Sequence, residues 1–206
     1  MRYSCAMNGG ANFTNKAQEA ILSAQSIAQE KGQQQIDALH LLFALLLQEN
    51  SVVLTTLQKL GIDIDNLKKK AESEIKKISM ILTPTAFGQF YLTQDMAKVL
   101  DRARQEAAKM QDDFISVEHL FLALLDVKSL AKDLLEKVSF LSGGGTGALK
   151  SSKLDYESVL NVLSQIRGGH KITDPEPESK YQVIEKYTRN LTDLAVAGKI
   201  DPIIGR

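Results

Sequence analysis

The chain has 206 residues, 44% of them hydrophobic, and its charged residues cancel to a formal net charge of zero. That length supports one well-filled core, or a core with an appendage, and the charge balance excludes a bulk pull toward nucleic acid or an anionic membrane. The single cysteine, Cys5, excludes an internal disulfide and accords with a reducing, cytoplasmic setting. No apolar run reaches the ~18 residues of a membrane span, and the start of the chain lacks the apolar stretch of a signal peptide.

Residues 1–12 read as a frayed leader. Thr14 is a good N-cap, and behind it Ala17, Ala20, Ile21, Ala24 and Ala28 recur at three- and four-residue steps, which predicts a helix to about Lys31 with an alanine-rich face suited to close packing. Gly32 ends it. Asp37 caps a second helix that is apolar nearly all round from Leu39 to Leu47 and therefore belongs at the centre of the core. Val52 to Leu60 forms a short helix stopped by Gly61. A further helix, capped by Asp65, turns Leu67, Ala71, Ile75 and Ile78 inward and its lysines outward.

Residues 79–91, with Pro84 and Gly88, read as a linker. The pattern then returns. Thr93 caps a helix with Met96, Val99, Leu100, Ala103, Ala107 and Met110 on one face. Ser116 caps a second central helix, and Glu118 lies in its first turn, where the helix dipole favours a carboxylate. Leu130 to Val138 repeats the short helix, and Leu154 to Ile166 closes the copy after a Gly-rich insert, residues 142–147, that predicts a mobile surface loop. Gly168-Gly169 and Pro175-Glu176-Pro177-Glu178 predict a second linker, flexible and then extended. Lys180 to Ala197 is expected to be at least partly helical, and Asp201 to Arg206 is an apolar tail without a core of its own, as though cut from something larger.

The return is a duplication. Ile36-Asp-Ala-Leu-His-Leu-Leu-Phe-Ala-Leu-Leu46 and Ile115-Ser-Val-Glu-His-Leu-Phe-Leu-Ala-Leu-Leu125 are offset by 79 residues, and nine of the 33 positions aligned from Thr14 and Thr93 are identical, where chance gives about two. The expected fold is all-α: a pseudo-twofold duplicated bundle with about four helices per copy. The copies span residues 13–80 and 92–166, residues 1–166 form one domain, residues 167–180 link, and residues 181–206 begin another unit.

Few residues suggest chemistry. His40 and His119 invite a metal or acid–base role, with Asp37 and Glu118 nearby, but each lies in the first turn of an apolar helix, where a ring nitrogen can satisfy a local backbone or side-chain group. A zinc site also needs three or four converging ligands. The sequence contains no nucleophile motif and no Gly-x-x-x-x-Gly-Lys-Ser/Thr phosphate loop. The run Lys68-Lys69-Lys70 with Lys76-Lys77 lacks interleaved aromatics and reads as a solvated face. Two similar bundles packed together instead suggest a groove that accepts apolar peptide segments.

The signature Ser116-Val-Glu-His-Leu-Phe-Leu-Ala-Leu-Leu125 resembles the amino-terminal repeat domain of the Clp ATPases. Arg167-Gly-Gly-His-Lys-Ile-Thr-Asp174, Lys186-Tyr-Thr-Arg-Asn-Leu-Thr-Asp-Leu-Ala195 and Gly198-Lys-Ile-Asp-Pro-Ile-Ile-Gly-Arg206 resemble the join between that domain and the first AAA+ module in ClpB-type disaggregases. The resemblance covers residues 13–206. It implies a substrate-binding N domain, itself without enzymatic activity, of a hexameric ATP-driven disaggregase that acts on unfolded or aggregated polypeptides with the DnaK chaperone system. It implies substrate contact at Thr14, Asp112 and Glu118, although Thr14 and Glu118 also suit helix starts and Asp112 an ordinary loop. Asp201, Pro202, Ile203, Ile204, Gly205 and Arg206 resemble the adenine-side segment of the AAA+ module, so the chain itself is expected to bind no cofactor, with ATP and Mg belonging to the full-length protein. The Gly-rich insert departs from the family pattern. Arg102 and Glu106, at expected exposed positions of a groove-lining helix, imply a more polar substrate. An N domain of a protease-linked Clp unfoldase that docks an adaptor is the alternative, and a small hydrolase or metal enzyme using His40 and His119 is a third reading.

Overall fold

Each copy begins where a threonine hydroxyl caps a helix. The computed structural model describes residues 12–78, 90–138, 154–168 and 171–177. The first copy contains α1 (Asn15–Glu30), β1 (Gln35–Ile36), α2 (Ala38–Leu47), α3 (Val52–Lys59) and α4 (Ile64–Lys77). The second contains β2 (Tyr91–Leu92), α5 (Gln94–Met110), α6 (Val117–Asp126), α7 (Leu130–Glu136) and α8 (Tyr156–Arg167). The expected leader through Ala11, most of the first linker, the Gly-rich insert and everything after Pro177 lie outside the described residues.

Local chemistry sets the helix ends. Thr14 Oγ1 accepts the Ala17 N–H at 3.3 Å, and Thr93 Oγ1 accepts the Met96 N–H at 3.2 Å. At the end of α3 the Gly61 N–H reaches the Gln58 carbonyl (2.9 Å) and the Ile62 N–H the Leu57 carbonyl (3.0 Å), with Gly61 at φ 71°, a Schellman stop. Because Ile62 is buried straight after that turn, Asp63 rather than Asp65 is the first polar residue free to cap α4, and its carboxylate accepts the Asn66 N–H at 3.0 Å. Asp65 lies in the first turn instead.

α2 and α6 pack together at the centre of the molecule, with α1 laid on α2 and α5 on α6. The alanine stripe Ala17, Ala20, Ala24 and Ala28 is fully or almost fully buried, which brings α1 close to its neighbour. Leu39, Leu41, Leu42, Leu45 and Leu46 of α2 are inaccessible to solvent, each burial contributing about 1.5–3 kcal/mol. The outer helices cross over: α4 of the first copy packs on α7 of the second, and α3 packs on α8. The halves therefore interlock around one core. No single helix among the described residues is long and apolar enough to cross a membrane. α2 and α3 together have the composition but are bent by 84°, and α2 is almost wholly buried in this core.

Short backbone pairing across the halves repeats at the same 79-residue offset. The Thr14 N–H donates to the Ile115 carbonyl and the Thr93 N–H to the Ile36 carbonyl, both at 3.0 Å. β1 and β2 run parallel, with Gln35 opposite Tyr91 and Ile36 opposite Leu92, and a parallel bridge joins Phe13 to Ile115. Thus the entrance to each copy's first helix is tied to the entrance to the other copy's central helix. Two-residue strands are too short to leave a period in the sequence.

His40 and His119 sit at these junctions with no exposed surface. His40 Nδ1 accepts the Asp37 N–H at 2.9 Å, and His119 Nδ1 accepts the Ser116 N–H at 3.0 Å. The proton therefore lies on Nε2, which donates to Gln33 Oε1 (2.6 Å) in the first copy and to Asp112 Oδ2 (3.0 Å) in the second. Each imidazole replaces the glutamate of a conventional capping box. Burial holds His40 below its ordinary pKa of 6.5, only partly opposed by Asp37, so it is neutral where it works. Replacing His40 with alanine leaves the Asp37 N–H and the Gln33 side chain without this partner and opens a cavity. We expect a loss of about 2–4 kcal/mol in urea unfolding. Since the folded pKa is the depressed one, the neutral ring's contribution in the wild type is complete above pH 6.5 and declines as pH falls below it. The alanine variant should lack that part of the pH dependence.

Candidate functional site

Asp112 occupies the turn between α5 and α6. The turn forms because Gln111 adopts a left-handed conformation (φ 58°), which lets the Asp112 N–H reach the Ala107 carbonyl at 2.9 Å. Gly32 serves in the equivalent position of the first copy, at φ 66°. Four contacts converge on the Asp112 carboxylate. Arg167 Nη2 lies 2.8 Å from Oδ1 and 2.7 Å from Oδ2, the Ile172 N–H donates to Oδ1 at 2.8 Å, and His119 Nε2 donates to Oδ2 at 3.0 Å. Burial of this carboxylate favours its neutral form, but the bonds from His119, the Ile172 amide and Arg167 outweigh it and hold the group below the usual aspartate range.

Arg167, in the last turn of α8, also brings Nη1 within 3.4 Å of Glu118 Oε2 and 3.2 Å of Met110 Sδ. One guanidinium thus links α8 to the end of α5, the Asp112 turn and the first turn of α6. Gly168, left-handed at φ 58°, turns the chain back from α8. The segment 171–177 then lies along the domain rather than swinging free. The Asp113 N–H donates to the Ile172 carbonyl at 3.0 Å, the Asn15 N–H to the Pro175 carbonyl at 2.9 Å, and Asn15 Nδ2 to Glu176 Oε1 at 2.7 Å. The expected flexible and then extended linker is corrected here: the segment bends at Asp174 and Pro175 and docks onto the domain, held by the buried Ile172 side chain and the amides that line its path.

The three residues singled out by the resemblance fall around this junction. Asp112 and Glu118 share Arg167, and Thr14 is joined to the same loop through the Ile115 carbonyl. All three are buried, Thr14 at 0% and Glu118 at 1% exposure, with the Asp112 side chain at 0%. Asp201 to Arg206 lie outside the described residues. The sequence alone does not single out Arg167 and Ile172, although both belong to the Arg167–Asp174 motif. The signal was an arginine just before a Gly-Gly pair and one isoleucine in an otherwise polar stretch.

Glu106 corrects an expectation. It is fully buried rather than exposed: Tyr156 donates its hydroxyl to Glu106 Oε2 at 2.6 Å, and Arg102 pairs with Oε1 at 2.6 Å. Arg102 also holds Asp126 at 2.6 Å and is only half-exposed. Burial, reinforced by Glu106, pushes the Tyr156 hydroxyl well above its ordinary pKa. These charges tie α5 to α6 and α8, so they give no ground for a more polar substrate. The helical spacing of α5 placed Glu106 correctly on its helix, but tyrosine on a distant helix supplied the partner that draws it inward.

Fold and junction together define a duplicated helical domain closed by interlocked outer helices. The chain belongs to the Clp repeat family: the sequence model of the Clp repeat (R) N-terminal domain matches residues 12–138. The chaperone protein ClpB of Bacillus cereus is 39% identical over 195 residues, which cover 94% of this chain and 21% of that protein. ClpB of Gloeobacter violaceus is 38% identical over 200 residues, covering 97% of this chain and 21% of that protein. The chain therefore spans about a fifth of the length of these curated relatives. The Hsp104 N-terminal domain from Candida albicans shares the fold, with a TM-score of 0.65 at 18% identity over 81% of this chain and 99% of that one.

Asp112→Asn keeps the shape of the side chain and removes the charge that faces Arg167. We expect it to lower unfolding free energy at pH 7 by about 2–3 kcal/mol. Because the folded pKa of Asp112 is depressed, its contribution is complete above the free carboxyl range near pH 4 and is lost as pH falls through the lower folded value. Urea unfolding between pH 2 and 7 should therefore show a shallower acid limb in the variant than in the wild type.

Proposed function

We propose that this chain is the substrate-engaging N domain of a ClpB-type, ATP-dependent disaggregase that captures unfolded or aggregated polypeptides in the stress response. Identity of 39% to a ClpB chaperone across nearly the whole chain supports this reading over that of a protease-linked unfoldase. The observation that carries the site is the convergence of Thr14, Asp112 and Glu118 on one junction between the two copies. In the proposed setting residues 13–80 and 92–166 are the two Clp repeats of one domain, 167–180 leads out of it, and 181–206 begins the first AAA+ module. ATP and Mg act in the AAA+ modules of a cytoplasmic homohexamer that works with the DnaK system.

The mechanism is weak, repeated capture. Six copies held on one ring raise the local concentration of binding sites near an aggregate, so each site needs only loose affinity. Of the three side chains only the Asp112 carboxylate is held by the segment 171–177, through the Ile172 amide, so a polypeptide takes that place only when the segment gives way, whereas Thr14 caps α1 and Glu118 faces Arg167.

His40 and His119 lend no support to an enzyme reading, because both ring nitrogens of each are committed to structural hydrogen bonds. The test is an NMR titration of the isotope-labelled 206-residue chain with a permanently unfolded protein, such as a reduced and carboxymethylated one. Amides of Thr14, Asn15 and residues 112–118 should shift in a saturable way. A spectrum unchanged up to millimolar ligand contradicts the proposal.

A further inference from the structure

The segment Lys171–Pro177 meets the domain largely through its main chain. The Ile172 N–H and carbonyl are both used, by the Asp112 carboxylate and the Asp113 N–H, and the Pro175 carbonyl accepts the Asn15 N–H. Asn15 is the first residue of α1, and its amide is one of the donors that a helix leaves without an internal partner. A carbonyl of any residue satisfies it. Side-chain selection is confined to a few points. Ile172 has no exposed surface, Pro177 is buried, Glu176 meets the Asn15 amide, and Lys171 Nζ lies 2.8 Å from Gln111 Oε1. Lys171, Thr173, Pro175 and Glu176 remain exposed. Ile172 packs here apart from the main core cluster, to which it does not belong.

Main-chain bonds that hold a segment, with one buried aliphatic side chain to fix its register, are a general means of binding an unpaired stretch of polypeptide. We propose that the edge formed by Asn15, Gln111, Asp112 and Asp113 is a receptor for unpaired polypeptide main chain with an aliphatic residue at the Ile172 position, and that residues 171–177 fill it in cis until such a polypeptide displaces them. The identity of the displacing ligand as unfolded protein rests on the function proposed above. The receptor itself rests on the contacts of Ile172 and Pro175. An aliphatic residue in an unpaired backbone is what an unfolded chain presents and a folded one hides, so the edge discriminates by conformation more than by sequence. The tethered segment competes at an effective concentration in the millimolar range. Apparent affinity for an incoming chain is reduced by the fraction of molecules whose edge is open. The segment therefore sets a threshold that many weakly bound segments of an aggregate exceed together.

The test uses the 206-residue chain with Ile172→Asp, which places a carboxylate beside Asp112, and with Ile172→Pro, which deletes the donated N–H without adding charge. Circular dichroism identifies which variant is folded, and that one is carried forward. A synthetic peptide of residues 169–179 is titrated into wild type and variant, followed by the amides of Asn15 and Asp113. The proposal expects saturable shifts in the variant and at least ~10-fold weaker binding to the wild type, the factor for an edge open one-tenth of the time. Absence of peptide binding to the variant, or equal binding to both, overturns the proposal. In a second arm the permanently unfolded protein replaces the peptide. Binding to both proteins with equal affinity at Asp112 and Glu118 overturns displacement of the segment and leaves the substrate reading intact. Peptide bound as expected with no binding of unfolded protein keeps the receptor and ends the substrate reading.

Discussion

An imidazole buried in the first turn of each central helix holds the two halves of this domain in their mutual arrangement. Its Nδ1 takes the N-cap amide and its Nε2 reaches back across the preceding turn, so the helix start, the turn and the end of the previous helix become one unit. That unit carries the Ile36 or Ile115 carbonyl to which the other copy's first helix is tied. The capping geometry and the backbone ties between the copies depend on those two rings staying buried with Nδ1 accepting the N-cap amide. Polar groups placed this way are costly to leave unpaired, which is why a satisfied network of this kind specifies one arrangement of the helices.

The residue behind each ring makes the halves chemically unlike. In the first copy Gln33 accepts from His40 and passes its amide protons to the Ile75 and Ile78 carbonyls at the end of α4, at 2.8 and 3.0 Å. Its position in the second copy is taken by Asp112, which can only accept. It therefore recruits donors, the Arg167 guanidinium and the Ile172 amide, from the end of α8 and the segment beyond it. An amide closes the first copy onto its own last helix. A carboxylate closes the second onto its own last helix through Arg167 and also takes main chain from the segment beyond it. The duplication thus supplies two junctions of one plan that differ in what the residue behind the ring can bind.

Much of this was legible in the residues. The alanine stripe of α1, the all-round leucines of α2, the caps at Thr14, Asp37, Thr93 and Ser116 and the stop at Gly61 follow from spacing and local chemistry, and all are local effects. What escaped is non-local. Asp63 displaced Asp65 as a cap because Ile62 is pulled into the core. Glu106 is buried because Tyr156, 50 residues away, donates to it. The parallel pairing of two-residue strands leaves no periodic trace. The polar stretch after Gly168 carries the composition of a free linker, and only the isolated Ile172 and the carboxylate waiting at Asp112 make it dock. Family resemblance points to Asp112 and Glu118, whereas their shared partner Arg167 depends on where α8 packs.

Everything at this junction follows from the Asp112 carboxylate gripping the chain's own backbone at Ile172. Hydrogen exchange of the Ile172 and Asp113 amides in the 206-residue chain at pH 7 measures that grip directly. The account predicts exchange slowed at least ~100-fold relative to an unstructured peptide of the same sequence. Exchange of both amides at the free-peptide rate, while the Asp37 and Ser116 amides stay protected, would contradict it.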